Sequence, residues 1–243
     1  MKRWGARLGA AAVLVAACAL ALQVALALRL ALMAWVDPGS TTFQRSEMLR
    51  LAVEKRQIAW SQSWVGYDQV SVHLKRAVIA SEDAGFVNHR GADWDAMEKA
   101  WDRNQRSQTK PPRAGAPQRV SRLRGGSTIT QQLAKNLLLS GEQTVWRKGQ
   151  ELVLAWMLEV LLGKRRILEL YLNHVEWGEG LFGAQAAARH YFRTDASRLS
   201  PEQAARLAVM LPAPKRFERR PASEYIVSRS ATILARMPGV EVP

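Results

Sequence analysis

A run of about twenty apolar residues near the start of the chain constrains its folding more than any other feature. It extends from Leu8 to Leu28 and is interrupted only by Gln23; Arg29 follows, then a second apolar stretch from Leu30 to Val36. At about 1.5 Å per residue, such a helix crosses a hydrocarbon core of about 30 Å. Lys2, Arg3 and Arg7 precede the run, which favours a cytoplasmic N-terminus and places residues beyond about 37 on the outer side. Arg29 stands near the helix end, where a guanidinium reaches the interface, and Trp35 suits the same layer. A cleaved signal peptide would have a shorter apolar region followed by polar sequence, whereas here the apolar character continues. Val15-Ala16-Ala17-Cys18 loosely resembles a lipoprotein processing site, but the mostly apolar residues that follow argue against it. Cys18 is the only cysteine, so an intrachain disulfide is excluded. The reading is a tail over 1–7, a transmembrane helix over 8–36 and an external domain over 37–243.

The remaining chain has helical signals. Asp37-Pro38-Gly39-Ser40 marks the break into the domain. Helical spacing predicts helices over 71–81, 93–103, 127–139, 144–162, 164–174 and 222–236. Another runs from Pro201 to about Leu211, with Ser200 as its N-cap. Leu152 to Leu162 is apolar nearly all round, as in a core helix. No alternating strand pattern stands out, so the fold class is all-α. Residues 104–124 carry Arg106, Lys110, Arg113, Arg119, Arg122 and Arg124 with no acid and read as a long basic loop; two roles are open for it, contact with an anionic membrane surface or a passive, solvated insertion. The net charge of +14, from 35 Lys and Arg against 21 Asp and Glu, suggests an anionic partner: nucleic acid, lipid or a phosphorylated substrate.

Four constellations carry chemistry. Glu82-Asp83 follows the apolar run Ala77-Val78-Ile79-Ala80, where a carboxyl at an apolar edge acts as acid or base with a raised pKa. Solvated acids ending a helix are the plainer alternative. From Gly125-Gly126, Ser127 and Thr128 open a helix whose polar arc holds Thr128, Gln131, Gln132, Lys135 and Asn136, opposite Ile129, Leu133, Leu137 and Leu138. Its hydroxyls, amides, cation and unpaired N–H groups suit an anion such as phosphate; a solvated, capped helix face is the alternative. Glu151 shares a helix face with Arg147 and Lys148, as in an ordinary ion pair at a helix entry. Glu169 and Asn173 lie one turn apart in a segment that reads mostly as core packing, followed by Gly178, Gly180 and Gly183.

Together these blocks resemble the peptidoglycan glycosyltransferases (transglycosylases) of glycosyltransferase family 51. The motifs occur in the family's order: Glu-Asp-x-x-Phe-x-x-His-x-Gly at 82–91, Gly-Gly-Ser-Thr-x-Thr-Gln-Gln-Leu-x-Lys-Asn at 125–136, Arg-Lys-x-x-Glu at 147–151 and Ile-Leu-Glu-x-Tyr-Leu-Asn at 167–173. Ser200 to Pro212 resembles the fifth. The chain looks like the monofunctional, single-pass type. Ser107-Gln-Thr-Lys110 has Ser-x-x-Lys spacing, but it lies in the polar loop and no Lys-Thr-Gly follows.

The resemblance implies a lysozyme-like fold with a membrane-facing part, and polymerisation of lipid II into β-1,4-linked glycan with inversion and release of undecaprenyl pyrophosphate. It implies Glu82 as general base and Asp83 as structural support. Lys135, Arg147 and Lys148 would stabilise the pyrophosphate, with Ser127, Thr128, Gln131, Gln132 and Asn136 as substrate-binding residues. Glu151 matches the family's second acid. Two roles are open for it: orienting the cations, or holding a divalent ion (Mg or Mn) at the pyrophosphate. No cofactor is implied as essential. Implied partners are lipid II, the growing glycan, the membrane and other cell-wall synthesis proteins, with no nucleic acid. The implied location is the bacterial inner membrane, with the catalytic domain periplasmic. A lysozyme-like peptidoglycan-cleaving enzyme is the alternative; it uses a glutamate but has little use for several cations around a leaving group.

Overall fold

The computed structural model describes residues 2–108, 126–139 and 144–243. Helix α1 (Lys2–Leu32) holds the apolar run. Its stretch Arg7–Leu32 has a mean hydropathy of 2.5 and is the one described helix long and apolar enough to cross a membrane. The helix starts before the expected boundary at residue 8 and gives way to turns after Leu32. Its last turns belong to the globular part, because Leu30 and Met33 are buried there. Helix α2 (Thr42–Arg50) is opened by a capping box between Thr41 and Gln44 and ends in a π-helical turn over Leu51–Lys55.

After strand β1 (Ser61–Gln62), helix α3 (Val72–Glu82) begins at the Ser71 cap and buries Leu74, Ala77, Val78 and Ile79. Helix α4 (Trp94–Gln108) runs further than expected, so the first residues assigned to the basic loop are helical. The remainder of that stretch, 109–124, lies outside the described residues. Helix α5 (Ile129–Leu138) packs on α6 (Val145–His174). Gly163, at φ 71° and ψ 163°, breaks α6 into the two helices that the sequence predicts.

A small sheet follows, which the sequence reading missed. Strands β2 (Glu176–Gly178) and β3 (Leu181–Phe182) pair antiparallel, and β1 joins β3 in parallel, in the order β1-β3-β2. Strands of two or three residues are too short to display an alternating pattern. Helix α7 (Ala184–Phe192) starts at Gly183, whose φ is 83° and where a Cβ would come within 2.8 Å of the Asn173 carbonyl oxygen. Only glycine fits there. Helix α8 (Pro201–Met210), capped by Ser200 with Gln203, packs on α3 and α10 (Glu224–Arg236); the short α9 (Pro214–Phe217) lies against β2. The core joins Leu74, Val78, Phe86, Ile129, Leu133, Leu154, Leu158, Ile167, Tyr171 and Trp177 into one cluster. The architecture is helical and lysozyme-like, with the sheet as a minor addition.

Candidate active site

The acidic pair at the end of α3 divides its work. Asp83 is buried, with its carboxyl oxygens 2.9 and 3.0 Å from His89 Nε2. It also accepts the first free N–H of α5, from Ile129, at 3.0 Å. A carboxylate at a helix N-terminus satisfies an orphan donor and meets the positive end of the dipole. Asp83 therefore joins α3, the 85–91 turn and α5. Glu82 faces the cleft and is only partly covered. Its Oε2 accepts from Gln132 Nε2 at 3.0 Å, and its Oε1 has a long contact of 3.4 Å from the Ser81 hydroxyl. Burial raises its pKa and the neighbouring Asp83 charge adds to the rise, while the bonds from Gln132 and Ser81 oppose it.

Helix α5 divides its expected donors in two. Thr128 and Gln131 form a reciprocal capping box at 3.1 Å in each direction, and the Thr128 hydroxyl also donates to the Gly91 carbonyl at 2.6 Å. Both side chains are buried, at 2% and 0% exposure. In this structure their polar side-chain atoms serve the helix start, while Thr128 also lines the cleft. Gln132, one position on, points to Glu82 and accepts from Tyr171 at 3.0 Å. Ser127 remains partly open, Asn136 is half-buried on the same helix, and Lys135 is exposed. The residue as a whole is exposed, yet protein near its ammonium lowers the pKa by desolvation; Glu151 opposes the change, and Arg147 and Lys148 reinforce it.

Two of the three cations pair with Glu151, which opens the buried part of α6 at 3% exposure, and Lys135 is within its electrostatic reach. Arg147 Nη1 donates to its Oε2 at 2.7 Å, and Lys148 Nζ to its Oε1. Lys148 also reaches the Ser127 hydroxyl at 3.3 Å, tying the second motif to the third. Arg147 and Lys148 sit in the first turn of α6, where the dipole disfavours cations, so the Glu151 carboxylate is what offsets their mutual repulsion. Both Glu151 oxygens already bind cations, and among the described residues no three His, Cys, Asp or Glu side chains converge.

Glu82, Asp83, Gly85, Asp93, Gly126, Ser127 and Thr128 line a cavity of about 190 Å³. Gly91, whose carbonyl accepts from Thr128, has φ 85°, and a Cβ there would crowd the Ala155 backbone at 3.1 Å. Sequence reasoning missed the partly buried link where Glu159 accepts from Thr130 at 2.6 Å and from Lys164 at 2.7 Å. Periodicity gave no signal for it, since the three residues belong to different segments. In the Ile-Leu-Glu-x-Tyr-Leu-Asn segment, Glu169 and Asn173 bind backbone groups of the 65–67 stretch. Glu169 accepts the Tyr67 N–H at 2.8 Å, and Asn173 pairs with the Val65 backbone at 3.0 and 2.9 Å.

A family model described as Transglycosylase matches residues 52–238, which include all of these side chains. The chain belongs to the transglycosylase family. Its relatives named biosynthetic peptidoglycan transglycosylase include one from Bordetella pertussis, 53% identical over 210 residues, covering 86% of this chain and 84% of the relative. One from Paraburkholderia phytofirmans is 48% identical over 241 residues, covering 99% and 94%. One from Cupriavidus metallidurans is 54% identical over 217 residues, covering 86% and 87%. The transglycosylase match includes both the Glu82 side of the cleft and the cation cluster.

Proposed function

We propose that this transglycosylase polymerises peptidoglycan glycan strands, with Glu82 as the base and the Glu151-centred cations as the pyrophosphate site. One observation carries the reading. A carboxyl with a raised pKa faces the same cleft edge, at Ser127, to which Lys148 and its partners Glu151 and Arg147 are tied. In the reaction, the acceptor 4-hydroxyl attacks the donor's anomeric carbon and its proton passes to Glu82. The new β-1,4 C–O bond forms as the bond to the lipid pyrophosphate breaks, with inversion and no covalent enzyme intermediate. Positive charge fixed where the leaving group gains negative charge lowers the barrier without reorganisation. Lys135, Arg147 and Lys148 supply it, with Ser127 and Asn136 as the remaining polar contacts. No step is routed through a metal ion. A cleaving enzyme would have no role for three cations at this position.

The lipid-linked substrate fits a membrane location. Helix α1 is read as a single span in the inner membrane, N-terminus cytoplasmic, with the domain outside. Twenty-six residues make about 39 Å of helix, longer than a ~30 Å core. The C-terminal part of the helix packs on α6. There Gln23 and Gln150 exchange two amide hydrogen bonds at 2.9 and 3.1 Å, and Arg166 donates to the Met33 carbonyl at 2.8 Å. Trp146, Trp156 and Val160 on α6 are exposed, at 89%, 58% and 63%, and suit a lipid interface. Polymerisation of purified lipid II by the detergent-solubilised chain is the test. Glycan strands ending in the lipid pyrophosphate are expected; hydrolysis of preformed glycan with no polymer would overturn the reading.

A further inference from the structure

Tyr171 touches neither the cleft nor the cations, yet its hydroxyl lies one residue from the base. It is 1% exposed, on the core face of α6, and donates to Gln132 Oε1 at 3.0 Å. Gln132 in turn donates from Nε2 to Glu82 Oε2 at 3.0 Å. We propose that Tyr171 is a positioning residue for Glu82 that acts through the Gln132 amide. The proposal rests on the reading of Glu82 as the base.

A side-chain amide has a donor end and an acceptor end of nearly the same shape, so it can face a carboxyl either way. With its NH₂ toward Glu82 it favours the carboxylate; with its C=O toward Glu82 it favours the protonated acid. The phenol decides between these. Burial, reinforced by the Glu82 and Asp83 charges, raises the Tyr171 pKa well above the usual tyrosine value, so its proton stays in place. Among the described residues Gln132 is the only acceptor that this proton has. Turning the amide over would strand a buried O–H, which is costly. The phenol thus holds the carbonyl end of Gln132, and the NH₂ end is held toward Glu82. This counteracts the burial that raises the Glu82 pKa. It also engages Oε2 alone, leaving Oε1, with its single long contact to Ser81, for the acceptor's hydroxyl.

The test is Tyr171→Phe, which removes one oxygen and keeps the ring in the core. A hydrogen bond to an ionised group is equivalent to about one pH unit or more. The acid limb of the kcat/KM profile should move up by about one unit, with roughly tenfold less activity below it and a nearly unchanged KM. The carbon-13 titration of the Glu82 carboxyl in the full chain should shift with it. Gln132→Leu should cause the same upward shift, and the double variant no further one. A merely structural tyrosine would lower Tm without moving either titration. A folded Tyr171→Phe protein with an unmoved Glu82 titration, or shifts that add in the double variant, would overturn the proposal. Glu82→Gln keeps the two readings apart. Full polymerisation by that variant removes Glu82 as the base, while the carboxyl titration still tests the link to Tyr171.

Discussion

Glu151→Gln is the substitution that best tests how the cation cluster is built. The carboxylate accepts from Arg147 at 2.7 Å and from Lys148 on its other oxygen. Glutamine retains one acceptor and turns the other position into a donor facing a cation. Bonds to charged groups are worth about 1.5–3 kcal/mol each, and breaking a buried pair costs about 3–5 kcal/mol. The Lys148 side chain is 37% exposed, so solvent screens its share; Arg147, at 16%, dominates. A loss of about 1–3 kcal/mol results, and each kcal/mol lowers Tm by about 2–4 °C in a domain of this size. Activity should fall further than stability, because Arg147 and Lys148 lose the group that aims them. Misplacing such groups by about 1 Å can cost about 10²-fold. The assay is lipid II polymerisation beside thermal unfolding, with and without added Mg. A lowered Tm with kcat/KM unchanged would make Glu151 a fold residue only. Recovery of activity with higher Mg would refute the argument in another way, since a carboxylate that aims side chains is not replaced by a metal ion.

Other perturbations separate the remaining roles. Glu82→Gln should reduce polymerisation by about 10²–10⁴-fold while Tm stays near wild type, and the wild-type acid limb should lie above the ordinary glutamate range because burial raises the Glu82 pKa; a limb at an unshifted glutamate position counts against it. Lys135→Ala should weaken turnover with little effect on Tm, because the side chain is exposed; equal turnover would leave it a solvated lysine. Glu176 has a pKa pushed up to about 7, chiefly by burial. A raised pKa means stability present below about pH 4.5 and lost as pH rises through 7, at most about 3 kcal/mol, so Glu176→Gln should flatten the fall in Tm across that window; an unchanged slope assigns it to other groups. Gln23→Leu should loosen α1 from α6 and increase hydrogen exchange in the first turns of α6, since Gln150 loses both amide bonds; unchanged exchange would show that apolar packing alone holds the helices.

The sequence by itself determined the helical class, the apolar first helix and the order of the motifs. These are local properties. Periodicity reports which face is apolar, and caps such as Ser200 with Gln203 lie within three residues of each other. It also separated Glu82 from Asp83 in role, though only through resemblance. Tertiary structure decided what adjacent polar residues do. Gln131 and Gln132 are chemically identical and about 100° apart on one helix. Gln131 is closed into the Thr128 capping box, while Gln132 stands between Tyr171 and Glu82. Glu151 reads as an ion pair in sequence, but only its burial on α6 makes it the hub that joins Arg147, Lys148 and, through Lys148, Ser127. The small sheet was invisible because its strands are set by the packing of Gly183 against Asn173 and by pairing with β1, more than a hundred residues earlier. Contacts between distant segments depend on which surfaces meet, and no pattern within one segment encodes that.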